Sequence, residues 1–438
     1  MSKSKKPTPA VRPGDRIAVR FDAVAHTGAA KGTPTDSALV GLVVFCPGMA
    51  PGDEADVVVV SADGRYIVAT PDADAPRRGD SPLRVEASCP VASRCGGCDF
   101  QHIDIAAQRG FKREFVEYRL KRSVAALPEI ADCVASPVAL DYRHRIDLQV
   151  ETHRGDVLFG FMAKASNDLV TIDACPIADP RIGERLASLR AALRELALGR
   201  GARFRMRVVV DEMSGVVIAL PADEDQRETH SWALVNDTTS DAWRRIERVP
   251  EFAFPGDGYE LRYPPACFTQ VNPGVNRLLI DAVLRAIAPR DGLAVLELYC
   301  GIGNFTIPLA LAGASVVGVE SDGAAARCAR ANAMRLGLGR VEIRTLTAQG
   351  ACAQARSRRE PFDAVLADPP RAGLGERTAR DLCETRPMRI AYVSCDLDAL
   401  AADLKILAGQ GYRIRAVTPF DMFPQTRHVE VLVELGLV

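Results

Sequence analysis

From Asp15 to about Thr70, apolar and polar positions alternate in short runs: DRIAVRFDAV, LVGLVVFCP, ADVVVVSAD and RYIVAT. Turn residues break the runs at Gly48, Pro51-Gly52 and Asp63-Gly64. A period of two marks a strand with one buried face, so this stretch predicts a small all-β barrel. Such barrels serve as plain structural modules or as binders of single-stranded nucleic acid, and periodicity does not choose between them. From Ile105 to Ala126 the period is helical, with Lys112, Arg113, Arg119, Lys121 and Arg122 on what reads as a solvated face. Tyr142-Arg143-His144-Arg145 leads into a strand over Ile146–Glu151. Along Arg203–Val210, Arg203, Arg205 and Arg207 share one strand face and Phe204, Met206 and Val208 the other. That stripe suits regularly spaced RNA phosphates, or simply solvent. Between Pro221 and Pro250 the chain is polar and shows no usable period. Past the Pro264-Pro265 turn, Asn272-Pro273 reads as a helix start, and strands then alternate with helices to the C-terminus. The strands are Ala294–Leu298, Ala314–Val319, Val341–Arg344, Ala364–Ala367, Ile390–Val393, Arg413–Pro419 and Val429–Leu435. This predicts an open, mostly parallel α/β sheet with a ligand crevice at the carboxyl ends of its strands.

The first of these strands runs into AVLELYCGIGNFTIPLA, where Gly301 and Gly303 make a tight turn before a helix that opens near Phe305. Glycines let a backbone approach a ligand, and the next strand ends in Glu320, where a ribose diol would be gripped. A dinucleotide and S-adenosylmethionine both fit such a turn, as does a bare structural turn. Thr306 stands where the third glycine of the dinucleotide fingerprint would be, which favours S-adenosylmethionine. Two further strand ends carry polar groups toward the same crevice. Asp368 sits on the turn Asp368-Pro369-Pro370-Arg371, suited to hold a donor or a base N–H, or to form the turn. Cys395 lies between a strand and a helix start, where a thiolate is favoured, although Asp396 opposes it. Glu430 either faces a core, which demands a pairing or a function, or shares an outer face with Glu434.

Composition narrows the class. The chain has 438 residues, room for two or three domains, with 47% hydrophobic and 25% charged positions and a net charge of −1. A near-neutral protein has no global pull on nucleic acid, so any basic surface is local. No run reaches the ~18 apolar residues a spanning helix needs, so no membrane partner is expected. The opening MSKSKKPTPAVRPGD reads as a polar, disordered tail over residues 1–13 and not as a signal peptide. Twelve cysteines without a secretion signal predict a cytoplasmic protein whose thiols bind metal or catalyse. Cys89, Cys95 and Cys98 are spaced C-x5-C-x2-C among glycines, with Cys175 in DACPI as a distant fourth. Zinc normally takes two separated C-x2-C pairs, so this pattern favours a [4Fe–4S] cluster over zinc or idle thiols. Cys46, Cys133, Cys267, Cys300, Cys328, Cys352 and Cys383 read as small core residues.

Taken in order, CPVASRCGGCDFQHI, DACPI, CFTQVN, LELYCGIGNFTIPLA, DPPRAG, YVSCD and DMFPQTRHVE resemble the RNA 5-methyluridine methyltransferase family, from about Gly14 to the end. The resemblance implies an N-terminal OB-like TRAM barrel over residues 14–75 that binds RNA. It implies a central α+β domain over 76–260 with the iron–sulfur cysteines and RNA-facing basic strands. A Rossmann-like S-adenosylmethionine-dependent methyltransferase domain would follow over 261–438. Cys89, Cys95, Cys98 and Cys175 match the cluster ligands; Gln270, Tyr299, Asn304, Glu320 and Asp368 match cofactor-contacting positions, Gln270 and Asp368 also reaching toward the uracil. Cys395 matches the nucleophile that adds to uracil C6, and Glu430 the base that removes the C5 proton. The family commonly has Asn-Pro after that cysteine, and here the chain has Asp396-Leu397; Asp serves as well for a helix cap. The expected activity is methylation of uridine C5 in RNA by a monomer. The cysteine set favours 23S ribosomal RNA, with transfer RNA as the alternative. Cytosine C5 methylation lacks its second cysteine at Asp368-Pro369-Pro370, and a non-catalytic iron–sulfur RNA-binding factor would not need both Cys395 and Glu430.

Overall fold

The computed structural model describes residues 11–64, 66–75, 77–153, 156–196, 198, 201–222, 232–236 and 242–438. Most of the expected N-terminal tail, residues 1–10, lies outside them, while Val11 is already packed in the first core. The chain divides into two compact units.

The first unit comprises Met1–Phe115, Met162–Asp168 and Phe423–Arg427. Strands β1 (Arg16–Val24), β2 (Ala30–Pro34), β3 (Val43–Cys46), β4 (Glu54–Asp63) and β5 (Tyr66–Pro71) close into a barrel in the order β1-β2-β3-β5-β4. Its inward positions, among them Val19, Phe21, Val44, Val57 and Ile67, form one core, as the alternation predicts. At Gly32 a Cβ would stand 2.4 Å from the Arg20 carbonyl oxygen, so only glycine lets β1 and β2 approach this closely. Asp53 is buried below the barrel and accepts from the Ala50 and Ser81 amides at 2.6 and 2.9 Å and from Arg84 Nε at 2.8 Å. Burial pushes its pKa up, but the Arg84 and amide hydrogen bonds prevail and hold it below the usual carboxylate range.

The second unit holds two sheets of seven strands each and a short β-hairpin. The antiparallel sheet runs β12-β11-β10-β9-β6-β7-β8. These strands are β6 (Arg145–His153), β7 (Asp156–Met162), β8 (Leu169–Thr171), β9 (Arg203–Val210), β10 (Val217–Pro221), β11 (Ala233–Asn236) and β12 (Arg244–Ile246). Strands β13 (Phe252–Pro255) and β14 (Glu260–Tyr263) form the hairpin, and Phe252 and Leu261 share a core with Ile218, Ile302 and Ile307. Of the stretch that carries no sequence signal, residues 223–231 and 237–241 are outside the described residues, and the rest supplies β11 and β12.

The other sheet runs β17-β16-β15-β18-β19-β21-β20. Strands β15 (Ala294–Leu298), β16 (Ser315–Glu320), β17 (Val341–Thr345), β18 (Ala364–Ala367) and β19 (Arg389–Ser394) are parallel. Strand β21 (Glu430–Leu437) inserts antiparallel between β19 and β20 (Tyr412–Phe420). The usual strand order of a dinucleotide-binding sheet is 3-2-1-4-5-6, and the antiparallel strand inserted between β19 and β20 departs from it. Leu296, Leu298, Val365, Tyr392 and Val433 are among its core residues. The helices in chain order are α1 (Ile105–Lys121), α2 (Pro180–Gly183), α3 (Leu186–Glu195), α4 (Pro273–Ile287), α5 (Thr306–Leu311), α6 (Gly323–Arg335), α7 (Ala348–Arg358), α8 (Glu376–Glu384) and α9 (Leu397–Gly409). Among the described residues no helix is long and apolar enough to cross a membrane.

Candidate active site

At the end of β15 the chain reverses through three left-handed residues, Tyr299 (φ 63°), Gly301 (φ 56°) and Gly303 (φ 97°). A tyrosine in that region is strained, and such strain concentrates at functional turns. Gly301 lines a pocket of about 460 Å³, and a Cβ added there would meet no protein atom within 4 Å. The pocket also touches Gln270, Asn276, Tyr299, Asn304 and Asp368. The Glu320 carboxylate accepts from the Gly301 amide at 3.0 Å and from the Asp322 amide at 2.8 Å, which holds it beside the turn. Four of the five residues matched to the cofactor therefore line one pocket, and the fifth is hydrogen-bonded to its floor. Asn276 lines it too and went unnoticed in the sequence; its place in NPGVN, one turn into a helix, was the available signal.

The reacting groups come from three adjacent strands. Ala367 pairs with Tyr392, so Asp368 leaves β18 beside the end of β19. Ser394 pairs with Val431, so Cys395, the next residue, leaves β19 on the side of Glu430, whose charge acts on its thiol. Glu430 is 2% exposed, which decides in favour of the inward-facing alternative. Asp396 caps α9, accepting from the Asp398 and Ala399 amides at 3.0 and 2.9 Å, as expected of an Asn replacement. Those amides therefore serve Asp396 and not the neighbouring thiol.

Burial pushes the Cys395 thiol up to about 12, with Glu430, Asp368 and Asp396 pushing it the same way and the Arg371 guanidinium opposing them. Burial likewise lifts Asp368 to about 7, and it lifts Glu430 well above the carboxylate range with Asp368 adding to it. Three acidic groups in one dry corner cannot all ionise cheaply; one cation delivered to the corner would lower all three. Such an arrangement can hold a nucleophilic thiol and a strong carboxylate base within reach of one substrate ring.

In the first unit, Cys95 and Cys98 are buried and Cys89 is half-buried. The Gly97 amide donates to Cys95 Sγ at 3.4 Å, and Gln101 Nε2 donates to Cys98 Sγ at 3.5 Å while its Oε1 accepts from the Cys89 amide at 3.0 Å. Burial raises the Cys95 thiol; the Gly97 amide opposes this and the charge of Cys89 adds to it. Soft sulfur donors with N–H groups aimed at them fit an iron–sulfur centre chemically. Among the described residues, however, no three His, Cys, Asp or Glu side chains are gathered as a metal-holding group. Cys175, in the second unit, is half-buried and forms no disulfide.

The arginine stripe on β9 is a cross-strand ladder. Arg207 is forked onto Asp147 of β6 at 2.9 and 3.1 Å and also donates to the Ala266 carbonyl, and Arg203 pairs with Glu151 at 2.5 Å. Acids on β6 thus offset the charges of Arg203 and Arg207.

Comparison with known proteins adds an independent line. Residues 252–436 match the family model described as tRNA (Uracil-5-)-methyltransferase. The 23S rRNA (uracil(1939)-C(5))-methyltransferase RlmD of Pectobacterium atrosepticum is 33% identical over 410 residues, covering 89% of this chain and 88% of that protein. Its namesake in Pseudomonas aeruginosa is 31% identical over 443 residues, covering 97% and 95%. Among solved structures, the Pyrococcus abyssi tRNA (uracil-54, C5)-methyltransferase in complex with S-adenosyl-L-homocysteine matches with a TM-score of 0.72 and 26% identity, covering 96% of this chain and 99% of that one.

Proposed function

We propose the function from one premise: this chain belongs to the S-adenosylmethionine-dependent RNA uracil-C5-methyltransferase family. It methylates C5 of a uridine in RNA, and 23S ribosomal RNA is the substrate favoured by the curated relatives. Transfer RNA is the second reading, supported by the named substrate of the solved homologue. The observation that carries the chemistry is the meeting of Asp368, Cys395 and Glu430 at the ends of three adjacent strands beside the glycine-turn pocket.

Uracil C5 is too weak a nucleophile to take a methyl group unaided. The Cys395 thiolate adds to C6, and the electron pair displaced from the C5–C6 bond makes C5 carbanion-like. S-adenosylmethionine, when bound, supplies an electrophilic methyl on a cationic sulfur. After transfer, Glu430 takes the C5 proton, the C5–C6 double bond re-forms, and the S–C6 bond breaks to return the thiolate. Burial makes Glu430 a stronger base than an ordinary carboxylate, and the proton it gains then passes to solvent. Gln270, Tyr299 and Asn304 line the cofactor's place, Glu320 takes the ribose, and Asp368 and Gln270 offer an acceptor and a donor to the base edge. A base paired in RNA must leave its stack to reach this corner.

The N-terminal barrel is a TRAM-type RNA-binding module in this reading. Cys89, Cys95, Cys98 and Cys175 hold a [4Fe–4S] cluster, supported by their spacing and by the N–H groups on Cys95 and Cys98. In this reading the protein acts as a cytoplasmic monomer.

The two reacting residues fail at different steps when replaced. Cys395→Ala forms no covalent RNA adduct and transfers no methyl. Glu430→Gln adds and methylates, then stalls, and it accumulates a denaturation-resistant protein–RNA adduct carrying the labelled methyl. Mass spectrometry of that adduct locates the linkage; attachment at any other cysteine sinks the assignment.

A further inference from the structure

We propose that Asn276 is a positioning residue: through a reciprocal amide pair it fixes the plane of Asn304 so that Asn304 binds the amino-acid end of the cofactor. The proposal rests on reading the pocket as an S-adenosylmethionine site. Asn276 Nδ2 donates to Asn304 Oδ1 at 2.8 Å, and Asn304 Nδ2 donates to Asn276 Oδ1 at 3.0 Å. The two residues come from α4 and from the glycine turn, and both line the pocket.

Local structure explains why Asn276 stands there. Asn272 caps α4, its Oδ1 accepting from the Val275 amide at 3.1 Å, while its Nδ2 donates to Ser136 Oγ at 3.0 Å. That anchors the first turn, and Asn276 follows one turn later on the same face, its amide donating to the Asn272 carbonyl at 2.9 Å. At 1% exposure its side-chain amide would be costly to bury without partners. A leucine there would pack at no such cost, so the amide is explained by the pair it makes.

The chemistry of the pair decides what Asn304 offers. A side-chain amide has two N–H groups and two carbonyl lone pairs, and the reciprocal pair uses one of each on both partners. Asn304 keeps one N–H and one lone pair, in a plane it cannot leave without breaking two hydrogen bonds. The cofactor's amino-acid end carries a carboxylate that takes an N–H and an ammonium that takes a lone pair. Exchanging both amides in concert preserves both bonds, so the pair can offer either polarity to whichever group arrives. Glu320 is tied to Gly301, on the ribose side, and Asp368 lies with Cys395 and Glu430, on the methyl side. Adenine and the amino-acid end remain for the Asn276–Asn304 pair, and the zwitterionic end gains more from the free N–H and lone pair of Asn304, because its hydrogen bonds are charge-assisted.

Titration calorimetry of the full-length protein with S-adenosylhomocysteine tests this, alongside steady-state KM values for S-adenosylmethionine and for RNA. Asn276→Ala should weaken cofactor binding and raise its KM about tenfold, with the KM for RNA unchanged. The double variant Asn276→Ala/Asn304→Ala should bind no more weakly than Asn304→Ala alone, because Asn276 acts only through Asn304. If Asn276→Ala lowers the melting temperature into the assay range, Asn276→Leu carries the test: it nearly keeps the volume and removes both hydrogen bonds to Asn304, with the same expected loss. Wild-type affinity in these variants, losses that add in the double variant, or an equal rise in the KM for RNA would overturn the proposal alone. A wild-type chain that binds no S-adenosylhomocysteine would overturn the reading of the pocket and this inference with it.

Discussion

Cys395 needs to be a thiolate in a corner that already holds two carboxyl groups, and the ionisation of those groups is where single residues become measurable. Asp368 titrates at about 7, so above that pH its charge opposes the Cys395 thiolate and below it the group is neutral. Asp368→Asn should therefore lower the Cys395 pKa only above about pH 7. Iodoacetamide alkylation of Cys395, followed by mass spectrometry, should run faster in the variant at pH 8.5 and at nearly the wild-type rate at pH 6. A ratio that does not change with pH would count against the charge coupling. Glu297 poses the opposite case, a buried carboxyl with no evident place in the chemistry. Burial raises it from 4.5 to about 8; Thr306, which donates to it, opposes this, and Asp368 and Glu320 reinforce it. The folded state therefore holds a proton there that the unfolded chain has released, and stability falls as pH rises from about 4.5 to 8. Each pH unit across that window costs ~1.4 kcal/mol, so the whole loss is on the order of a few kcal/mol. Glu297→Gln should flatten this part of the stability–pH curve; denaturant unfolding at pH 5 and pH 8.5 checks it, and an unchanged slope would count against a protonated Glu297.

Helix α9 shows how much of an element can be read before its neighbours are known. Asp396 was legible as a cap because the rule is local, and its carboxylate does take the Asp398 and Ala399 amides. Asp396→Ala should cost about 1 kcal/mol of stability, whereas Asp396→Asn should keep the cap. The asparagine also removes a charge that raises Cys395, so this variant should alkylate faster without losing stability. Unchanged stability in Asp396→Ala would mean the cap contributes nothing. Four of the five barrel strands and the parallel strands were equally legible, since each rests on periodicity within a few residues; β2 was not, because its buried positions are Ala30, Gly32 and Pro34 and carry no apolar signal. What was not legible depends on partners. The insertion of β21 beside β19, which sets Glu430 on the side where Cys395 leaves β19, is a choice of tertiary pairing that no period along the chain reveals. The arginines of β9 were legible as a stripe, but only the register with β6 shows Asp147 and Glu151 facing them. The strained φ of Tyr299 left no trace in the sequence, because tyrosine is not a residue chosen for that conformation.

At the scale of the whole chain, the first unit draws in two segments remote from its barrel, Met162–Asp168 and Phe423–Arg427. The Gly96 amide donates to the Met162 carbonyl, the Asp99 amide to that of Gln425, and Asp99 accepts from the Arg427 amide at 3.0 Å. The cysteine loop is thus stitched from three parts of the chain, which a reading of consecutive residues misses. A loop held by scattered hydrogen bonds, with little regular structure of its own, is where a bound inorganic centre would contribute most to folding. Protein purified without oxygen should be brown and carry about four iron atoms per chain, as one cubane requires. Removing the iron should expose the stretch between Ser81 and Asp104 to protease while the barrel core stays resistant. Cys95→Ala and Cys98→Ala should each reproduce both changes in the unchelated protein. Stoichiometric zinc in place of iron would replace the cluster with a zinc site. Full protease resistance after chelation would show that the loop keeps its order without metal, leaving the methyl-transfer chemistry of Cys395 and Glu430 untouched.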